Sequence, residues 1–371
     1  MTTTEVVDTK ECGKITVHIQ VSCLFTFAIN HNLFSKGPRN LKDVILTVHD
    51  LGCNHNEMIN FVSQECMEQL LNRCTWVHVL IPGQDDGEQT LPADYNFPTM
   101  QQLGEAMGEI CDALGLQHVV VFGEGAGANI LARMAMARED LVLGAVLIHC
   151  TGTTAGFAEN LRDRLIGWKL NNVGMNPAAE SYLLVHRFGS FSESCNEVEL
   201  THILTNYRKS LRDLINPRNL NKYIMSFMAR TKIIEKVDQL KCPILLITGA
   251  LASHNHTVHR FYNALLQSAR SQPERMKNIE LVEMDEVANV LRGRPEKVAE
   301  CLQFFIQGLG LASGVVSRRM STTLPTPFRA RSMSMEEYDQ PKGVSTCIYD
   351  KHRKYSTAFA EGDEEGSQIP A

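Results

Sequence analysis

A glycine-rich turn between a buried strand and a helix is the segment of this chain best suited to chemistry. Residues 119–132, VVVFGEGAGANILA, show an apolar run, a tight turn and the beginning of a helix. A strand–turn–helix with the pattern G-x-S-x-G presents a nucleophilic serine beside backbone N–H groups that stabilise an oxyanion. Gly125 stands at the serine position here. Because glycine has no side chain, the turn is predicted to keep its backbone geometry without the nucleophile.

The other two members of a Ser-His-Asp triad are also missing at their expected positions. After the apolar run 242–249, the pattern G-x-x-D would place the acid at Ala252. Seven residues before Pro295, the histidine position falls on Ala288, next to Asn289. The loss of a single triad member lowers the rate about 10⁴-fold or more. With all three absent, we predict that the protein has no serine-hydrolase activity.

Other side chains near the turn define an enzymatic alternative. His49 and Asp50 follow an apolar run, at the place where α/β-hydrolases carry their oxyanion loop. Without a nucleophile, we expect both residues to brace the turn through hydrogen bonds. An enzyme of unusual design would instead use Cys53, Glu124 or His49, provided that an ionisable pair stood at hydrogen-bonding distance. A small ligand or a lipid bound in the former pocket is a further alternative.

Two other patterns indicate cofactor or metal binding only weakly. The turn also fits the dinucleotide fingerprint G-x-G-x-x-A from Gly123, but strands precede it and no acid follows about twenty residues later. His254, His256 and His259 offer three imidazoles without a carboxylate or thiol partner nearby in sequence. We therefore predict neither a cofactor nor a metal.

The composition is typical of one large α/β core. The chain has 371 residues, 44% of them apolar, with a net charge of −6 and a pI near 6.1. This charge argues against a nucleic-acid binder, which would carry a basic field, although a local basic patch stays open. Eleven cysteines without a C-x-x-C pair, and no secretory signal peptide, indicate an intracellular protein, which we expect in the cytoplasm. The apolar run 21–29 is too short to span a membrane, although peripheral membrane association stays open.

Strand and helix patterns alternate along the chain. Continuous apolar runs of strand length lie at 15–19, 44–48, 76–81, 119–124, 145–148, 242–249 and 279–284. Such continuous runs are typical of parallel strands covered on both faces. Apolar residues at helical spacing over 100–114 and 298–309 predict helices that pack on this sheet.

The strand patterns stop between about residues 151 and 240, which predicts a helical cap inserted after the fifth or sixth strand. Helical patterns lie at 161–172, 177–188, 197–214 and 220–237. We predict an α/β-hydrolase fold over 41–311, with a mostly parallel central sheet flanked by helices. Residues 1–40 are predicted to form an N-terminal strand or hairpin with an insert, and 312–371 a disordered tail.

The C-terminal tail contains two motifs of the kind that basophilic kinases recognise. Arg329 and Arg331 lie five and three residues before the last serine of RARSMS, and Arg318 and Arg319 lie just before another serine. Phosphorylation adds about −2 charge and oxygens that pair with arginine. The predicted acceptors for a basophilic Ser/Thr kinase are Ser334, Ser332, Ser321 and Thr322.

Four segments together resemble the N-myc downstream-regulated (NDRG) family. They are HDLG at 49–52, FPTMQQL at 97–103, the serine-less GEGAGA at 123–128 and FFIQGLG at 304–310. The resemblance covers about residues 47–331. It implies a catalytically inactive α/β-hydrolase fold used in stress response, differentiation and signalling, mainly in the cytoplasm, with a kinase-regulated tail.

The sequence departs from the family pattern in two places. Residues 21–36 look longer than the family's first hairpin, and the tail has few of the family's repeated elements. The sequence therefore predicts a non-catalytic signalling or adaptor protein that contacts protein partners through its cap or its surface.

Overall fold

The computed structural model describes residues 1–22, 43–154, 170, 172, 174–189 and 197–312. Within them, one sheet of eight strands has the order β1-β2-β4-β3-β5-β6-β7-β8. The strands are β1 (Thr2–Thr9), β2 (Gly13–Gln20), β3 (Val44–Val48), β4 (Thr75–Val79), β5 (Val119–Glu124), β6 (Val142–Ile148), β7 (Ile244–Gly249) and β8 (Ile279–Met284). β2 pairs antiparallel with β1 and with β4, and all other neighbours pair parallel. The predicted mostly parallel sheet is confirmed.

The first strand, β1, precedes the first apolar run of the sequence at 15–19. β1 pairs with β2 in a register that joins Thr2 to Gln20 and Thr9 to Gly13. It begins with three threonines and buries only two of its eight residues, Val7 and Thr9. An edge strand with so little apolar character gives no continuous hydrophobic run to detect.

Helices cover both faces of the sheet and form the cap. They are α1 (His55–Val62), α2 (Glu68–Leu71), α3 (Met100–Ala113), α4 (Gly125–Ala137), α5 (Pro177–Phe188), α6 (Glu197–Asp213), α7 (Pro217–Met228), α8 (Asn255–Ser268), α9 (Pro273–Lys277), α10 (Val290–Gly293) and α11 (Pro295–Gly308). Short 3-10 helices lie at Glu65–Met67 and Ile234–Gln239. None of the described helices combines the length and the apolar character needed to cross a bilayer.

Two predicted cap helices, 177–188 and 197–214, agree with α5 and α6, but the one at 220–237 is wrong at both ends. α7 begins earlier because the Asn216 side chain accepts hydrogen bonds from the N–H groups of Arg218 and Asn219. It ends earlier because the Arg230 guanidinium donates to the Phe227 carbonyl and covers its ring. Residues 23–42 and 313–371, with the predicted insert, tail and phosphorylation sites, lie outside the described residues, as does most of the helix predicted at 161–172.

The sheet separates two hydrophobic layers. On one face, Trp76 and Phe122 pack with the apolar sides of α1 and α11. On the other face, Val77 and Val121 pack with α3, α4 and the cap helices. Each fully buried large apolar side chain contributes roughly 1.5–3 kcal/mol to folding. This packing fixes the carboxyl ends of the parallel strands, where the predicted site residues lie.

A polar chain crosses the buried face of the sheet near α1. His78 on β4 donates from Nε2 to Gln20 Oε1 at 2.9 Å, and its Nδ1 accepts from the Thr47 hydroxyl at 2.7 Å. Gln20 donates in turn to Ser63 Oγ at 3.0 Å. Burial, reinforced by neighbouring imidazoles, lowers the pKa of His78 to about 3. The ring is therefore neutral at physiological pH. Below pH 6.5 the unfolded chain binds a proton at this histidine, whereas the folded protein does not.

We predict that His78→Gln lowers the free energy of unfolding at pH 7 by about 1–3 kcal/mol, because glutamine cannot keep both hydrogen bonds. The loss should shrink as the pH falls below 6.5. When the pKa of a histidine is lower in the folded state, its contribution to stability is complete at pH values above the unfolded-state pKa. Below that pKa the contribution falls by up to about 1.4 kcal/mol per pH unit. Urea unfolding of both proteins from pH 7 to 4.5 measures this difference.

The matched control is His118→Gln, which replaces an exposed imidazole and should leave the free energy of unfolding at pH 7 unchanged. Parallel pH profiles for the parent protein and His78→Gln would contradict a neutral, buried His78.

Candidate functional site

The turn at 123–127, called the elbow below, joins β5 to α4 at the carboxyl edge of the sheet. β5 is buried throughout, and α4 begins directly at Gly125. Gly125 has a φ of +54°, in the left-handed region that other residues rarely adopt. The strand, turn and helix are therefore all present, with glycine at the position from which a nucleophile would extend.

The carboxylate of Asp50 fills the space next to Gly125. A Cβ built on Gly125 would overlap the Asp50 carboxylate, so no side chain fits there while Asp50 keeps its position. Asp50 Oδ1 accepts a hydrogen bond from the backbone N–H of Ala126 at 2.8 Å. In a hydrolase elbow, the N–H after the nucleophile is an oxyanion donor. Asp50 thus lies where the oxyanion of a substrate would bind.

The cap holds the second oxygen of this carboxylate. His186, in the last turn of α5, donates from Nε2 to Asp50 Oδ2 at 3.0 Å, and its Nδ1 lies 3.0 Å from His254 Nε2. The side chains of Asp50 and His186 are only 5% and 3% exposed. Burial alone would raise the pKa of Asp50, but His186 and the N–H groups of Ala126 and Leu51 outweigh it and lower that pKa. Asp50 is therefore ionised inside the protein.

His49 is held as a neutral ring. Its Nδ1 lies 2.9 Å from the Asp50 carbonyl oxygen, and its Nε2 lies 3.2 Å from the backbone nitrogen of Ile81. A carbonyl only accepts and a backbone N–H only donates, so the ring carries its proton on Nδ1 and accepts on Nε2. Burial lowers the pKa of His49 to about 4. Both nitrogens brace the loop, and neither is available as a general base.

A buried arginine of the cap contacts the remaining candidates, Cys53 and Glu124. Arg187 Nη1 donates to Cys53 Sγ and lies 3.5 Å from Glu124 Oε2, while Nη2 donates to Glu57 Oε2 at 2.9 Å. Burial raises the pKa of the Cys53 thiol well above its ordinary value despite Arg187. Burial likewise raises the pKa of Glu124 to about 7. A protonated thiol that faces a cation lacks the base that thiol catalysis needs.

The cap backbone closes the side of the site where a triad acid and histidine would stand. Gly189, directly after α5, has a φ of +67°, and a Cβ there would overlap the Leu251 carbonyl and lie 3.1 Å from the Ala288 Cβ. Ala252 lies in the turn after β7, where its N–H donates to the Gly249 carbonyl at 3.1 Å. The cap backbone therefore packs closely on Ala288, and at both positions alanine supplies no titratable group.

The three histidines of 254–259 do not converge. His254 faces His186, His256 is exposed, and His259 Nε2 lies 2.6 Å from Glu283 Oε2. Among the described residues, no group of three or more His, Cys, Asp or Glu side chains has an arrangement that could hold a metal ion.

Sequence reasoning missed His186, Arg187 and His149. The first two look like basic residues at the end of an ordinary helix, which favourable interaction with the helix dipole already explains. His149 directly follows β6, has a φ of +52°, and lies with Nδ1 3.3 Å from Thr248 Oγ1. The one signal for His149 in the sequence is its position directly after a parallel strand. Ligand sites in α/β folds lie at the carboxyl ends of such strands.

Comparison with known proteins identifies the family. A family model described as "Ndr family" matches residues 32–313. The chain belongs to the Ndr family. A Caenorhabditis elegans relative described as "Uncharacterized protein ZK1073.1" is 34% identical over 347 residues, 92% of this chain and 94% of the relative. "Protein NDRG1" of Xenopus tropicalis is 30% identical over 285 residues, 74% of this chain and 66% of that protein. The predicted NDRG resemblance is confirmed.

Solved α/β-hydrolases share the fold of this Ndr-family protein. An esterase from Thermogutta terrifontis aligns with a TM-score of 0.62 at 12% identity, over 83% of this chain and 99% of the esterase. MenH from S. aureus aligns with a TM-score of 0.58 at 12% identity, over 74% of this chain and 97% of MenH. The predicted α/β-hydrolase fold is confirmed, and at this identity the likeness shows the fold alone.

We predict that Gly125→Ala lowers the free energy of unfolding by about 2–5 kcal/mol. A left-handed alanine costs about 1–2 kcal/mol, and overlap with Asp50 adds roughly 1–3 kcal/mol of overpacking. Gly87→Ala is the matched control, because Gly87 has a φ of +67° and open space around its Cβ position. It should lose only the conformational part. Urea unfolding of the three proteins checks this, and equal losses for both variants would contradict the packing of Asp50 against the elbow.

Proposed function

We propose that this Ndr-family protein is a non-catalytic α/β-hydrolase relative that works by binding other proteins. In this proposal it is an adaptor in cytoplasmic signalling during stress response or differentiation. The observation that carries the proposal is the Asp50 carboxylate seated at the oxyanion donor of the elbow, beneath the docked cap helix α5.

Each part that ester hydrolysis needs is replaced by a group that cannot serve. The nucleophile position is Gly125, both nitrogens of His49 are engaged, and the oxyanion donor holds a carboxylate. The developing oxyanion of a substrate would meet the fixed negative charge of Asp50 in a low-dielectric interior, where like charges repel strongly. The site therefore opposes the transition state that a hydrolase stabilises.

The docked cap supports a role in protein binding. In many enzymes, lids and loops move to admit substrate and release product. Here His186 and Arg187 hold the end of α5 to Asp50 and Glu124 inside the core and to the partly exposed Glu57. A cap fixed in this way presents a constant surface, which suits recognition of a partner better than turnover of a substrate.

The tail supplies the proposed switch. A phosphate on Ser334 or Ser321 would place about −2 charge beside arginines of the same segment. Such a change creates or removes charge-assisted hydrogen bonds with a partner. Regulation by a basophilic kinase would therefore act on partner binding and leave the hydrolase-like core intact.

We predict that neither the purified protein nor Gly125→Ser reacts with a fluorophosphonate or hydrolyses a panel of esters faster than buffer. The added serine would lack a base and would overlap Asp50. Because that overlap can unfold the variant, Gly125→Ser combined with Asp50→Ala is assayed beside it, and an active esterase confirms the probe. Turnover by the unaltered protein that disappears in Cys53→Ala or Glu124→Gln would overturn the non-catalytic proposal.

We also predict that a basophilic kinase phosphorylates the full chain at Ser334 and Ser321, as mapped by mass spectrometry. Arg329→Ala with Arg331→Ala should abolish the first site and spare the second. Ser367, which follows acidic residues, serves as the control serine and should stay unmodified.

The functional consequence is measured with aspartate and alanine forms of the same two serines. They should recover different partners from cells, whereas the melting temperature of the core stays the same. Identical partner recovery by both forms would contradict a phosphorylation switch.

A further inference from the structure

Two hydrogen-bond donors, one from the core and one from the cap, converge on one buried carboxylate. The Ala126 N–H reaches Asp50 Oδ1 at 2.8 Å, and His186 Nε2 reaches Oδ2 at 3.0 Å. We infer that the former oxyanion site of this protein is now a carboxylate-binding site, occupied by its own Asp50, and that this occupancy latches the cap to the core.

The donors match an anion with two oxygens. Ala126 lies in the first turn of α4, a helix of 13 residues, where unpaired N–H groups and the helix dipole favour negative charge. His186 binds the other oxygen from the opposite side, through the cap. The buried guanidinium of Arg187, the residue after His186, is engaged with Cys53, Glu57 and Glu124, so the carboxylate is held by these directed donors.

The loop and His186 have contacts of their own besides the Asp50 carboxylate. The loop is fixed through His49, which binds the Ile81 N–H and whose carbonyl accepts from Tyr223 Oη at 3.2 Å. The His186 ring packs between Tyr182, Phe227 and His254. Removal of the carboxylate should therefore weaken the docking of α5 without abolishing these contacts, and a free anion of the same size should bind the vacated site and restore the docking.

Chemical rescue tests this inference. Asp50→Ala lacks only the COO⁻ group, which formate replaces, and Asp50→Gly also lacks the methylene, which acetate replaces. Each variant should melt about 5–10 °C below the parent protein, because a buried pair has been broken. The matching carboxylate should raise the melting temperature with the logarithmic concentration dependence of specific binding.

Formamide and acetamide at the same concentrations, with ionic strength held constant by chloride, are the neutral controls and should not rescue. The parent protein should not respond to formate, because Asp50 already occupies its site. Rescue that is equal with formamide, or equal in the parent protein, would overturn the carboxylate site. If Asp50→Ala does not fold alone, the readout becomes the yield of folded protein when it is refolded with formate or with formamide.

The latch is tested by hydrogen exchange of the same full-length proteins. In Asp50→Ala, amides of α5 should exchange more than tenfold faster, and formate should restore their protection, while β5 stays protected. Glu180→Gln is the matched control, because it removes the ion pair of α5 with Arg212 outside the site and should show no response to formate. Unchanged protection of α5 in Asp50→Ala, or equal loss in α5 and β5, would overturn the latch.

Discussion

The buried charge of Asp50 is the constraint on which the elbow and the cap both depend. A carboxylate removed from water is destabilising by several kcal/mol unless other donors replace its hydration. Ala126 supplies one donor from the core and His186 supplies another from the cap. Loss of either partner leaves a buried charge incompletely paired, a change that typically costs about 3–5 kcal/mol. The loop after β3, the elbow and α5 are therefore stable only as a unit.

The position of Asp50 depends on the glycine at the elbow. The Asp50 carboxylate approaches the backbone this closely only because Gly125 has no Cβ. A serine at this position and the present position of Asp50 exclude each other on steric grounds. Hydrolytic chemistry is thus opposed by packing and by charge as well as by the absence of triad side chains, so restoring one residue does not restore the site.

The sequence predicted the features that short local patterns determine, but it did not predict contacts between residues far apart in the chain. The elbow, Gly125 and the helix at 177–188 follow from short patterns of apolar residues, glycines and caps, and the structure contains each of them. His186 is 136 residues from Asp50, and its role depends on how the cap returns to the sheet. No helical or strand periodicity encodes such a contact, so the sequence predicted a brace at Asp50 but not its partner in the cap.

Glu124 is the carboxyl group of the site that exchanges a proton near neutral pH. Its pKa, raised by burial from 4.5 to about 7 although Arg187 opposes the shift, means that the folded protein binds a proton there that the unfolded chain releases. That contribution to stability is complete below pH 4.5 and is lost as the pH rises to about 7. Buried His49 and His78, with pKa values of about 4 and 3, act in the opposite direction, because their contribution is lost as the pH falls below 6.5. The two effects oppose each other between pH 4.5 and 6.5, and above that range Glu124 ionises while these histidines stay neutral. The carboxyl that changes charge near physiological pH is therefore one that contacts the cap through Arg187.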